Sequence, residues 1–249
     1  MGSFDIFEVR SIERPSAYTA RRTACPLHCN DARMTPKLPQ LRVQALDFAY
    51  PDRPLWSAWH AIFGPGVALA EGGDGAGKTS LLRLLAGQLK AQGGQIALQL
   101  AGTAPPLLAP GEAYRRQVAW FDPRQPALPN VGGLTPQAWL DALPARHPAW
   151  CAEALQAHVA GWALAPHLGK PFDALSTGTR RKVFMAAALA SGAPLTLIDE
   201  PVSGLDRPSI AYLQQALDGL VGRPDRIVIV AHHEALPGVR WQDVVRWPD

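Results

Sequence analysis

Val67-Ala68-Leu69-Ala70-Glu71-Gly72-Gly73-Asp74-Gly75-Ala76-Gly77-Lys78-Thr79 is a short apolar run that feeds directly into a glycine-rich loop. Leu81, Leu82, Leu84, Leu85 and Leu89 then recur at helical spacing, so the loop lies between a strand and a helix. A desolvated triphosphate needs many hydrogen-bond donors and positive charge. Gly72, Gly75 and Gly77 let successive backbone N–H groups converge without side-chain obstruction. The helix beginning near Lys78 directs its positive dipole end at the phosphates, Lys78 reaches the β and γ oxygens, and the Thr79 hydroxyl is placed to ligate Mg²⁺. A glycine loop that merely turns a strand into a helix is the bland alternative; the flanking pattern argues against it, but the motif alone does not say which NTPase this is.

The second half narrows the class. Leu195-Thr196-Leu197-Ile198-Asp199-Glu200 is an apolar strand ending in two carboxylates. Such a strand delivers one acid to a metal and another to the water that attacks the γ-phosphate: Asp199 as the Mg²⁺ partner, Glu200 as the catalytic base. The strand-like stretches at 41–50, 56–63 and 118–121, the strand at 227–230 and the helix at 210–220 complete an alternation that predicts a parallel sheet with helices on both faces. Trp139, Leu140, Leu143, Trp150, Leu155 and Trp162 mark several amphipathic helices, and the tryptophans are read as core.

With these residues in view, the chain resembles the nucleotide-binding subunit of an ATP-binding cassette (ABC) transporter. Leu175-Ser176-Thr177-Gly178-Thr179 is similar to the family's Leu-Ser-Gly-Gly-Gln signature, Ser203-Gly204-Leu205-Asp206 to its D-loop, His232 to its switch histidine, and Tyr50 to the aromatic that stacks on adenine. The matches run in family order from about residue 41 to 236. The resemblance implies an α/β fold: a P-loop NTPase core with a parallel sheet, an N-terminal antiparallel β subdomain and an inserted α-helical subdomain at about 123–178. It implies a nucleotide site built from Tyr50, Gly72, Gly73, Asp74, Gly75, Ala76, Gly77, Lys78, Thr79 and Ser80, completed by Ser176, Gly178 and Asp206 of a second copy in an ATP-sandwich dimer. It implies that Lys78, Glu200 and His232 carry catalysis and that Thr79, Asp199 and Gln125 hold Mg²⁺. The implied partner is a separately encoded transmembrane subunit, with no nucleic acid expected; within the family, the short single cassette resembles the haem-exporter subunit of cytochrome c maturation and small multidrug or peptide exporter subunits.

Three departures stand out. Thr177 replaces the first signature glycine and Thr179 the glutamine, which alters the contact to a second copy and predicts slower hydrolysis. Where the family ends a strand in a glutamine, this chain reads Trp120-Phe121-Asp122-Pro123-Arg124-Gln125, leaving Asp122 and Gln125 as alternatives for that role.

Composition bounds the rest. The 249 residues are 47% hydrophobic and 18% charged with net charge +3, which fits a packed globular protein and shows no basic run of the nucleic-acid type. Neither a secretory leader nor an uninterrupted apolar stretch of spanning length is legible, so the expected place is the cytoplasm, peripheral on the cytosolic face of the inner (plasma) membrane. Cys25, His28 and Cys29 form half a zinc site at best and are read as incidental. Residues 1–40 read as a flexible extension, with Met34 an alternative start of translation, and 237–249 as a C-terminal tail. A soluble ABC-type ATPase acting on ribosomes or DNA is the competing reading. The single cassette and the short span from Lys78 to Ser176 argue against it.

Overall fold

The computed structural model describes residues 38–102, 105–121 and 133–246. Two long strands open the described residues, β1 (Gln40–Tyr50) and β2 (Arg53–Phe63), joined by the Pro51-Asp52 turn. They pair antiparallel, Leu41 opposite Phe63 and Tyr50 opposite Arg53. β4 (Gly93–Gln99) and the short β5 (Leu107–Leu108) extend this sheet to the order β2-β1-β4-β5. Leu41, Val43, Leu46 and Phe48 of β1 are buried while intervening positions are not, the alternation of a sheet wet on one face.

The second sheet is parallel, in the order β6-β7-β8-β3-β9. Its strands are β6 (Val118–Trp120), β7 (Leu195–Asp199), β8 (Ile227–His232), β3 (Gly66–Glu71) and β9 (Asp243–Arg246). β7 and β8 are buried at every position, as expected of strands covered on both faces. β9 lies within the stretch read from sequence as a tail. It pairs with β3, Leu69 opposite Val244, so residues 243–246 belong to the core sheet.

Between the sheets lies α1 (Lys78–Leu85), whose Leu81, Leu82, Leu84 and Leu85 are fully buried against both. The opposite face of the parallel sheet is covered by α5 (Thr177–Ala190) and α6 (Arg207–Asp218). The single turn α2 (Glu112–Arg115) precedes β6, and the helical segment ahead of α5 contains α3 (Pro136–Ala142) and α4 (Ala152–Gly161). Thr135 caps α3 by accepting from Ala138 N at 3.2 Å, with Pro136 at its first position. Trp139, Phe172 and Phe184 pack edge-on and stacked at 5.2–5.8 Å and tie this segment to α5. Trp162 is buried and donates from Nε1 to Ser209 O at 3.1 Å.

Candidate nucleotide site

The topology puts the chemistry on one edge. β7, β8 and β3 are neighbours, with Asp199 opposite Ala231 and Glu71 opposite His232. Their carboxyl ends therefore deliver Asp199-Glu200, His232 and the glycine loop side by side, the edge where open parallel sheets place ligands.

The loop is shaped by backbone that side chains resist. Gly75 has φ +78° and Gly77 φ +101°, both left-handed, and Gly77 leads directly into α1. The loop is also crowded from above. A Cβ on Gly77 would lie 3.3 Å from the Trp56 ring, and one on Gly75 3.3 Å from Arg53 Nη1, so β2 leans over the loop. Sequence reasoning missed both contacts, because nothing local to Arg53 or Trp56 announces them.

Lys78 is buried, and its ammonium donates to Gly72 O at 2.7 Å and Gly73 O at 2.9 Å while lying 3.2 Å from Glu200 Oε1. His232, also buried, meets Glu200 Oε2 through Nδ1 at 2.9 Å. A carboxylate only accepts, so the shared proton is on Nδ1 and Nε2 is left for other partners. Burial pushes the Glu200 carboxyl up. The hydrogen bonds from His232 and Lys78 and the Lys78 charge outweigh it, holding the group down at about 2. Glu200 also has φ +44°, a left-handed conformation costing roughly 1–3 kcal/mol in a non-glycine residue. Its N–H donates to Ala231 O at 2.9 Å, which fixes that conformation.

Thr79 Oγ1 donates to Asp199 Oδ2 at 2.8 Å, joining the first turn of α1 to the end of β7. A hydroxyl and a carboxylate oxygen are hard donors that fit Mg²⁺. Tyr50 is exposed at the hairpin end, and its hydroxyl lies 3.1 Å from Ser80 Oγ. Asp74 is exposed on the crown of the loop.

The signature residues lie at the start of α5, where Ser176 and Thr177 are exposed and Gly178 and Thr179 are buried. Ser176 is the N-cap of α5: its Oγ accepts from Thr179 N at 3.1 Å and lies 2.9 Å from Thr179 Oγ1. Thr179, in the family's glutamine position, thus closes onto the signature serine. Gly178 is buried beneath the D-loop, where a Cβ would come within 2.1 Å of Gly204 O. Arg181 Nη1 donates to Ser203 O and fastens the same two segments. Asp206 caps α6, accepting from Ser209 N at 3.0 Å. Asp122 and Gln125, like Cys25, His28 and Cys29, lie outside the described residues.

A parallel sheet whose central strands bring a glycine-rich loop, a lysine, two acids and a histidine together, with a capped signature helix behind, defines a P-loop ATPase of the ATP-binding cassette type. Residues 65–203 match the family model described as ABC transporter. The chain is 34% identical over 220 residues to the Cytochrome c biogenesis ATP-binding export protein CcmA of Pseudomonas savastanoi pv. phaseolicola, covering 86% of this chain and 99% of that one. It is 30% identical over 229 residues to the protein of the same name from Cupriavidus necator, covering 91% and 94%. A solved structure described as the ATP binding subunit of an ABC transporter superposes with TM-score 0.62 at 25% identity, over 77% of this chain and 79% of that one. The chain belongs to the ABC transporter family, as a single-cassette ATP-binding subunit that hydrolyses ATP to power transport. Among the described residues no helix is long and apolar enough to cross a membrane.

Proposed function

We propose that this chain is the ATPase subunit of an exporter serving cytochrome c biogenesis, docked on the cytosolic face of the membrane against a separate transmembrane subunit. The similarity to curated export proteins over nearly their whole length supports that role, and those relatives give no support to action on ribosomes or DNA. The observation that carries the catalytic reading is Glu200, held between Lys78 and His232 beside the Thr79–Asp199 pair.

ATP stacks its adenine on Tyr50 and lays its phosphates over Gly72–Ser80. Lys78 then turns from Glu200 and the loop carbonyls to the β and γ oxygens. That movement removes one of the two groups holding Glu200 down while burial continues to raise it, so the proton affinity of the carboxylate rises as substrate arrives. Glu200 orients a water on the γ-phosphorus and draws off its proton as the P–O bond to ADP breaks. His232 stays oriented through Nδ1 and offers Nε2 to the γ-phosphate. Thr79 and Asp199 would hold Mg²⁺, which would supply positive charge against the phosphates.

Ser176 and Gly178 act on the nucleotide of a second copy. Because Ser176 Oγ uses its lone pair on Thr179 N, its hydroxyl proton is available to a γ-phosphate oxygen or to Thr179 Oγ1. Thr179 therefore competes with the nucleotide for that proton, the physical basis for slower hydrolysis than a glutamine signature gives. Co-purification from native membranes tests the assignment. Recovery with an integral membrane exporter subunit supports it, and recovery with ribosomes or DNA overturns it.

A further inference from the structure

We propose that Glu200, His232 and His233 form a binding site for a borderline transition-metal dication, with Zn²⁺ as its probe, and that filling it switches the ATPase off. Each residue offers one ligand atom, and the three atoms lie within 4.8 Å of one another. Glu200 and His232 are already in contact at 2.9 Å, and the His232 and His233 rings lie 4.0 Å apart, centroid to centroid. Zinc bound by imidazole and carboxylate at about 2.0–2.2 Å in tetrahedral array sets its ligand atoms roughly 3.3 Å apart. The Glu200–His232 pair is held near that separation by buried surroundings. The metal replaces the proton that His232 Nδ1 shares with Glu200, and that proton leaves to solvent. His233, whose side chain is 52% exposed, then has to turn towards the pair.

The remaining features fit such an ion. Asp199 and Glu200 set two carboxylates against the single ammonium of Lys78, so a cation enters a locally negative site. Two imidazoles select zinc-like metals over Mg²⁺, whose hard oxygen donors here are Thr79 and Asp199. Three protein ligands with an exposed side leave a fourth position to water. His233 has no part in the hydrolytic arrangement; its neighbour is the exposed Glu234, at 3.5 Å. A metal on Glu200 withdraws the carboxylate from the attacking water, which is how occupancy stops turnover. The inhibition rests on reading Glu200 as the base, whereas binding does not.

The test compares the full chain with its His233→Ala variant, whose Mg-ATP turnover without zinc is expected to match the parent. Zn²⁺ affinity is measured by competition with a chromophoric chelator on nucleotide-free protein, and half-inhibition of ATPase by Zn²⁺ separately. Both constants are expected to rise at least about tenfold in the variant, a loss that even an outer-shell partner produces. Co²⁺ bound to the parent is expected to show the weak visible bands of nitrogen and oxygen ligation. Unchanged zinc affinity in the variant overturns the site, as does the intense thiolate charge-transfer band that cysteine ligands such as Cys25 and Cys29 give. Zinc binding that needs His233 but leaves turnover intact keeps the site and overturns the switch, while the reading of Glu200 as the base is decided separately by Glu200→Gln.

Discussion

Lys78 Nζ lies 3.2 Å from Glu200 Oε1, so the cation assigned to phosphate and the acid assigned to water are held against one another. Each keeps the other's charge satisfied in a largely buried site. Lys78→Ala removes the phosphate-binding cation and leaves Glu200 short of a partner. ATP affinity is expected to fall below detection at millimolar nucleotide, read by a fluorescent ATP analogue, while the fold survives by circular dichroism.

The same pairing has a pH signature. Glu200 titrates at about 2 in the folded chain against an ordinary 4.5, so folding releases protons between those values. Its contribution to stability is complete above about 4.5 and disappears as pH falls towards 2. The difference in Tm between the parent and Glu200→Gln is expected to be constant at neutral pH and to shrink as the solution is acidified below 4.5. A gap that widened on acidification would contradict the assignment.

Gly178→Ala tests the junction between signature and D-loop. The added Cβ meets the Gly204 carbonyl oxygen at 2.1 Å, a backbone atom with no flexible end to yield. Overpacking of this kind costs about 1–3 kcal/mol. Denaturant titration reads that loss, and ATPase activity is expected to fall further than stability alone explains, because the displaced loop carries Asp206 and the displaced helix carries Ser176.

Tyr50 separates ring from hydroxyl. Its oxygen lies 3.1 Å from Ser80 Oγ, in a half-buried contact. Tyr50→Phe is expected to change ATP affinity by no more than about fivefold, the equivalent of one hydrogen bond at about 1 kcal/mol. Tyr50→Ala deletes a base-stacking surface worth about 1–3 kcal/mol and is expected to weaken ATP by roughly 5- to 150-fold in the same binding assay.

What could be read from sequence was local. The apolar run into Gly72, the leucines after Thr79 and the acids closing β7 each announce themselves within a dozen residues, and the order of motifs fixed the architecture. The Asp206-Arg207-Pro208 start of α6 is legible as a cap, but the apolar periodicity begins only at Ile210, three residues inside the helix. β9 escaped because its four residues, Asp243–Arg246, have no period of their own and become a strand only by pairing with β3. The lean of Arg53 and Trp56 over the loop, the Gly178–Gly204 approach and the Lys78–Glu200 pair are distant in sequence, and only the folded chain brings them together.

As proposed, Glu200 activates the water that cleaves ATP in a site completed by two copies. Single-turnover hydrolysis by Glu200→Gln, followed with size-exclusion chromatography in Mg-ATP, tests it most directly. Cleavage at least a hundredfold slower, within the 10²–10⁴ range of a lost general base, is expected together with accumulation of an ATP-bound dimer. Cleavage at the parent rate, or an ATP-bound monomer, would contradict it.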